Sequence, residues 1–123
     1  MLAAIIPADT TQPIRFEEIE AETLQSLQTL VGGDIQAVGL RAVGMNMYIN
    51  ENGKPEELPV NFRATFLCHE INAIFPHDYI NGDAVFLGPI DEDEGVDTSL
   101  AADQVTLLEA LPDAAGSRRG TQP

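Results

Sequence analysis

The sequence has a single cysteine, no tryptophan and no long apolar run. One cysteine, Cys68, excludes an intrachain disulfide and is typical of a reducing compartment, so we expect a cytoplasmic protein. No apolar stretch is long enough to cross a bilayer. The first residues, Met1 to Pro7, lack the basic start of a signal peptide. We therefore expect no association with a membrane.

Basic residues are also scarce, with 6 Lys and Arg against 20 Asp and Glu, which gives a formal net charge of −14. This charge repels the phosphates of nucleic acids and of anionic lipids, so direct nucleic-acid binding is disfavoured. The simplest interpretation of the acidity is solubility. A sharper alternative is an acidic decoy, which presents carboxylates to a DNA-binding protein where phosphates normally lie.

What is present is the pattern of one small domain with an apolar core. Short apolar runs between turn residues alternate with segments of helical periodicity. They predict an α+β fold: a small, mostly antiparallel sheet of four to five short strands covered by two main helices, with a possible third C-terminal helix. The domain boundaries that we predict are 1–97 for the compact domain, 98–111 for the C-terminal helix and 112–123 for a disordered tail.

The central strand is predicted at Ala84–Leu87, between the turn Asn81-Gly82 and the stop Gly88-Pro89. Asn52-Gly53 is a second turn, of the type that favours a hairpin. Helices are predicted over Glu22–Val31, from the cap Asn61 to Phe75, and over Leu100–Leu111 behind the cap Ser99. The core residues that we predict are Phe66, Ile71, Val85 and Leu87.

The densest acidic stretch is a loop with five carboxylates: Asp91, Glu92, Asp93, Glu94 and Asp97. An EF-hand register from Asp91 fails, because the sixth position is Val96 and the twelfth is Ala102, where that motif needs glycine and glutamate. We therefore expect an exposed loop that binds a partner protein, with no metal.

No cofactor-binding or nucleophile motif is present, and we expect no cofactor. Asp78 and Asp83 flank a turn and are candidates for an acid–base pair, with His77 or His69 beside them, although local hydrogen bonds that cap the turn Asn81-Gly82 are the simpler explanation of these aspartates. Cys68 and His69 are adjacent on a helix, so their side chains diverge, and we expect Cys68 to be a buried apolar residue.

Several stretches together resemble a small domain-of-unknown-function family of high-GC Gram-positive bacteria and of their phages and plasmids. The resemblance covers residues 1 to about 95, and residues 66–77 depart from it, which leaves the roles of His69 and His77 open. It implies no catalytic residue. The matching stretches are Ile6-Pro7-Ala8-Asp9, residues 27–33, residues 47–54, Leu58-Pro59, Asn61, Arg63-Ala64-Thr65, Gly82-Asp83-Ala84 and Leu87-Gly88-Pro89.

The function that we expect is that of an acidic protein-binding module without enzymatic activity. The resemblance implies an accessory protein of a phage or plasmid, with an anti-restriction or DNA-mimic role among the candidates. Its partner would be a host or mobile-element protein, and the chain itself a monomer or homodimer. Two alternatives stay open: a small enzyme around Asp78 and Asp83, and a self-assembling module whose Phe62, Phe66 and Phe75 are too many for one core to cover.

Overall fold

The computed structural model describes residues 1–20 and 24–112, and within them it contains a five-stranded antiparallel sheet and three α-helices. The α+β prediction is therefore confirmed. The strands are β1 (Leu2–Ile6), β2 (Arg15–Glu18), β3 (Ile35–Leu40), β4 (Met45–Asn50) and β5 (Ala84–Leu87). The helices are α1 (Leu24–Val31), α2 (Phe62–Glu70) and α3 (Ala102–Glu109).

The sheet is ordered β2-β1-β5-β4-β3, so β5 is its central strand. All four residues of β5 are fully buried, and the strand has the bounds that the sequence predicts. Position 88, directly after the strand, requires glycine because a Cβ there would clash with the carbonyl oxygen of Ser99. The chain at residues 98–100 thus passes directly over the end of β5, and Gly88 N–H donates to the carbonyl of Thr98 at 2.8 Å.

Helices cover both faces of the sheet. Leu27 and Val31 of α1 pack on Val85 and Leu87, which point to one face of β5. The remaining two helices pack on the opposite face, and their contact residues cluster with Ala84 and Phe86. The side chains that these helices contribute are Ala64, Leu67 and Cys68 from α2, and Leu108 from α3.

The prediction that Phe66 belongs to the core is wrong, since 43% of its surface is exposed. The side of α2 that meets the sheet carries residues 64, 67, 68 and 71, which follow the spacing of one helical stripe. Phe62 and Phe66 lie outside this stripe and are both exposed. Helix α2 also ends at Glu70, so Phe75 is not on it. Ile71 is partly buried, and Val85 and Leu87 are buried as predicted.

The hairpin turn lies elsewhere than Asn52-Gly53. The strands β3 and β4 are joined by a 3₁₀ turn, Arg41–Val43, and by Gly44 with a φ of 67°. Asn52-Gly53 is a turn as predicted, but it opens the loop that leads to α2. Gly53 is needed there because a Cβ would lie 3.0 Å from the backbone oxygen of Asn81.

The C-terminal segment is attached to the N-terminal strand. Ser99 does not cap α3; its Oγ accepts from the N–H of Leu2 at 2.9 Å, and Leu100 N–H donates to Leu2 O at 3.0 Å. Helix α3 begins at Ala102, and Leu111 behind it is buried in the core. The first two residues of the predicted helix, Glu22 and Thr23, and residues 113–123 of the predicted tail lie outside the described residues. Over residues 1–20 and 24–112 we find no helix with the length and apolarity that a membrane span requires.

Candidate functional site

A groove of about 500 Å³ follows the outer edge of β3. Four consecutive residues of that strand, 36–39, border it. Successive side chains of a strand point to opposite faces, so a groove that touches all four is lined in part by the backbone of β3. The segment after α2, with Ile74 and Phe75, lines the groove as well, together with the buried Ile49 and Ile80.

The backbone of β3 presents unused hydrogen-bonding groups to this groove. Glu51 N–H donates to Asp34 O at 2.8 Å, which fixes which residues of β3 bond to β4. In an antiparallel pair the backbone groups of successive residues point alternately toward and away from the partner strand. The N–H and C=O of Gln36, Val38 and Leu40 therefore point to β4. Ile35, Ala37 and Gly39 then direct N–H and C=O outward, where no group of the described residues bonds to them.

The two edges of the sheet are protected differently. Edge strands of natural proteins are usually short, charged or interrupted, because unpaired backbone groups attract another strand. Strand β2 fits this rule, with four residues that include Arg15, Glu17 and Glu18. Strand β3 has six residues, IQAVGL, without a charge or a proline. Of the two edges, β3 is therefore the one open to a further strand.

One end of the groove carries a polar cluster around Lys54. Its Nζ lies 3.1 Å from Asp78 Oδ1, donates to Tyr79 O at 2.5 Å and stands 4.9 Å from the centre of the Tyr79 ring. The hydrogen bond from Tyr79 N–H, and then Lys54, hold the pKa of Asp78 below its usual value. His69 Nε2 bonds to Asp78 O at 2.8 Å. Lys54 is thus neutralised by its partners.

The candidate catalytic residues have separate partners. Asp83 Oδ1 accepts from Ala8 N–H at 2.9 Å, in the loop after β1, whereas Asp78 bonds to Tyr79 and Lys54. No hydrogen bond joins the two aspartates within the described chain. His77 stacks on Phe75 with ring centres 5.8 Å apart. Each of these groups is explained by a local contact, and none shares a hydrogen-bond network with Asp83.

Cys68 is fully buried, as predicted. Burial, and to a lesser degree the charge of Asp78, raises the pKa of its thiol to about 11. A thiolate is the reactive form of cysteine, so this environment makes Cys68 a poor nucleophile.

The acidic loop is ordered by its own hydrogen bonds. Asp91 Oδ1 accepts from the N–H of Asp93 and of Glu94, at 2.9 and 3.3 Å, and Asp91 N–H donates to Val96 O at 2.7 Å. Asp97 accepts from the Tyr48 hydroxyl at 2.5 Å; burial first, and then this bond, raise the pKa of Tyr48. Asp91 and Asp97 are thus engaged in structure, whereas Glu92, Asp93 and Glu94 are exposed.

No arrangement of carboxylates in residues 1–20 and 24–112 is suited to a metal ion, since no three His, Cys, Asp or Glu side chains are grouped for one. A larger cleft, of about 700 Å³, lies between β2 and α1 and is bordered by Glu17, Glu18 and Glu20. Residues 21–23, which connect its two sides, are outside the description, and we place no site there.

Comparison with known families identifies the domain. A family model described as a domain of unknown function, DUF3846, matches residues 2–112. The chain belongs to the DUF3846 family. No curated protein and no solved structure matches it.

The DUF3846 match spans every strand and helix of the structure, and so includes both the β3 groove and the acidic loop. Sequence reasoning identified the acidic loop and missed the groove. An uncharged IQAVGL strand is unremarkable in the interior of a sheet, and only the strand order shows that it is an edge.

Proposed function

We propose that this chain is an acidic protein-binding module without enzymatic activity, whose surface carboxylates dock on a basic surface of another protein. The observation that carries the proposal is that basic side chains of the domain are already bound to carboxylates. Arg15 is paired with Glu17 at 2.7 Å, and Lys54 with Asp78. With these charges balanced, the excess of carboxylates over basic side chains in the sequence attracts basic partners.

Arg63 is a further basic side chain that adds no charge to the surface, because it is buried. It is 1% exposed, and its Nη2 donates to the carbonyl oxygens of Pro7 and Gln12 at 2.8 and 2.9 Å. Its charge organises the loop after β1 and is withheld from the surface. Of the basic residues that the structure describes, Arg41 is the one that is exposed and forms no ion pair.

The contact surface that we propose is the acidic loop, with Glu92, Asp93 and Glu94 as the docking carboxylates. The hydrogen bonds of Asp91 and Asp97 hold the loop in one conformation, so less conformational entropy is lost when a partner binds. We propose further that the chain is an accessory protein of a phage or plasmid. Its partner would then be a host or mobile-element protein, and a DNA-binding partner would make the chain a decoy with anti-restriction activity.

The test is capture of partners from host lysate by the tagged chain, with washes at low and then high salt. We expect a basic protein that high salt releases, because exposed charge pairs are screened. The variant E92Q/D93N/E94Q should weaken its affinity about tenfold, whereas the matched variant E56Q/E57Q/E70Q, with the same change of charge at exposed carboxylates outside this loop and outside the β3 groove, should change it little. Capture that resists salt and ignores both variants would contradict the proposal.

The hypothesis that the chain is a decoy for a DNA-binding protein is tested separately, by competition with DNA. If the partner is a DNA-binding protein whose DNA site docks on this chain, excess duplex DNA should displace it. A partner that holds DNA and this chain together would refute the decoy form and leave the protein-binding module in place.

A second candidate, self-assembly, is supported by the exposed aromatic pair of α2. Phe62 and Phe66 are one helical turn apart and are 55% and 43% exposed. A second copy could cover them, and sedimentation at increasing concentration distinguishes the two candidates. A dimer that F62S/F66S dissociates would favour assembly over the acidic module.

A further inference from the structure

We propose that the outer edge of β3 binds an extended, basic segment of the partner protein as a sixth strand of the sheet. This inference rests on the proposed protein-binding function and names where, and in what conformation, the partner's chain is held.

The backbone supplies the specific contacts. Ile35, Ala37 and Gly39 each direct an N–H and a C=O away from β4, at the spacing with which a neighbouring strand pairs, and Ala37 and Gly39 border the groove. Strand addition of this kind needs an edge without charges or proline, and IQAVGL meets that condition. Strand β2, at the other edge, does not.

The groove also fits the side chains of an added strand. Alternate residues of that strand point toward the face where Val38 and Ile74 pack against the core. Phe75, which is 72% exposed, stands at the same groove and can cover a side chain placed there. Every second residue of the bound segment is therefore apolar.

The net charge of the domain determines which residues are favoured at the remaining positions of the bound segment. The chain carries −14, so a basic segment is attracted while a second copy of this chain is repelled. The groove adjoins a smaller pocket of about 220 Å³, and the two share Gln36, Ile49 and Lys54. Glu51, which is exposed, borders this pocket. A lysine or arginine of the segment pairs with its carboxylate.

The probe is a synthetic ten-residue peptide of alternating lysine and valine, added to the ¹⁵N-labelled full chain. We expect hydrogen exchange at the amides of Ile35, Ala37 and Gly39 to slow about tenfold, because pairing takes them out of solvent. A peptide of alternating glutamate and valine should leave these amides unchanged.

Two changes test the backbone pairing directly. Ala37→Pro removes an outward N–H that β4 does not use, so it should weaken peptide binding about tenfold or more while the sheet stays intact. The matched control is Glu18→Pro at the other edge, where the mutual bonds between Met1 and Ile19 leave Glu18 N–H directed outward. A lysine–valine peptide with consecutive N-methylated amides makes the same test on the unaltered chain, and it should not bind.

Three outcomes overturn the inference: protection of amides away from β3, equal binding by the two proline variants, or binding of the N-methylated peptide. A dimer of the chain alone that Ala37→Pro dissociates would assign the edge to a second copy and also overturn it. If the acidic-loop variant loses a lysate partner while no peptide protects β3, the proposed function stands and this inference fails. If β3 is protected but no salt-released partner exists, the edge site stands and the proposed function fails.

Discussion

At the scale of single residues, the side chain of Asn61 bonds to three separate parts of the fold. It is fully buried, its Oδ1 accepts from Ala64 N–H at 3.1 Å, and it thereby caps α2. Its Nδ2 donates to Ile6 O at 2.8 Å and to Gly82 O at 3.0 Å. One side chain thus joins the start of α2 to the end of β1 and to the turn before β5.

Asn61→Ala should therefore destabilise the fold by about 3 kcal/mol, because it removes a cap and leaves two buried carbonyl oxygens without their donor. Asn52→Ala is the control: this side chain is exposed, and its loss should change the free energy of unfolding by less than about 0.5 kcal/mol. Urea denaturation measures both. Equal midpoints for the two variants would show that the bonds of Asn61 contribute nothing net.

At the scale of elements, α2 shows how position on a stripe outweighs side-chain size. Ala64 and Cys68 are small and fully buried, and Leu67 is buried beside them in the same core cluster. The two phenylalanines are larger, and their one-turn spacing gives an apolar strip of its own on the outside. The apolar content of α2 is therefore divided between a buried and an exposed side.

Leu67→Ala should cost about 3 kcal/mol of unfolding free energy, since it opens a cavity under the helix. Phe66→Ala should cost about 1 kcal/mol or less, because much of that ring already contacts water. Chemical denaturation of the two variants, side by side, checks the orientation of α2. A larger loss of unfolding free energy for Phe66→Ala than for Leu67→Ala would mean that Phe66, and not Leu67, faces the sheet.

At the scale of the whole molecule, the net charge of −14 opposes the compact state through self-repulsion. Sodium chloride shortens the screening length from about 10 Å at 0.1 M to about 3 Å at 1 M. The melting temperature should consequently rise by a few degrees, on the order of 5 °C, between these concentrations. Sodium perchlorate at low concentration is the control, because it screens charge without salting out the apolar surface. A melting temperature that falls with both salts would mean that ion pairs such as Lys54–Asp78 outweigh the repulsion.

Much of the local structure follows from the sequence. The strand Ala84–Leu87, the cap Asn61 and the end of α1 before Gly32 are determined by neighbouring residues: apolar runs, turn residues and a capping side chain. The acidity of the surface is likewise fixed by composition, since charged side chains are rarely buried without partners. These features depend on composition and on interactions between residues that are close in the sequence.

Only the tertiary structure decided what depends on distant residues. The position of the hairpin turn at Arg41–Val43 and Gly44, the outward side of Phe66 and the edge location of β3 all follow from which strands pair and which stripe packs. The groove is the plainest case. It brings together β3, residues 72–75 and Lys54, and its open backbone groups exist because no strand of residues 1–20 and 24–112 lies beyond β3 in the sheet order. Sequence supplied an uncharged strand, and the fold made it an edge.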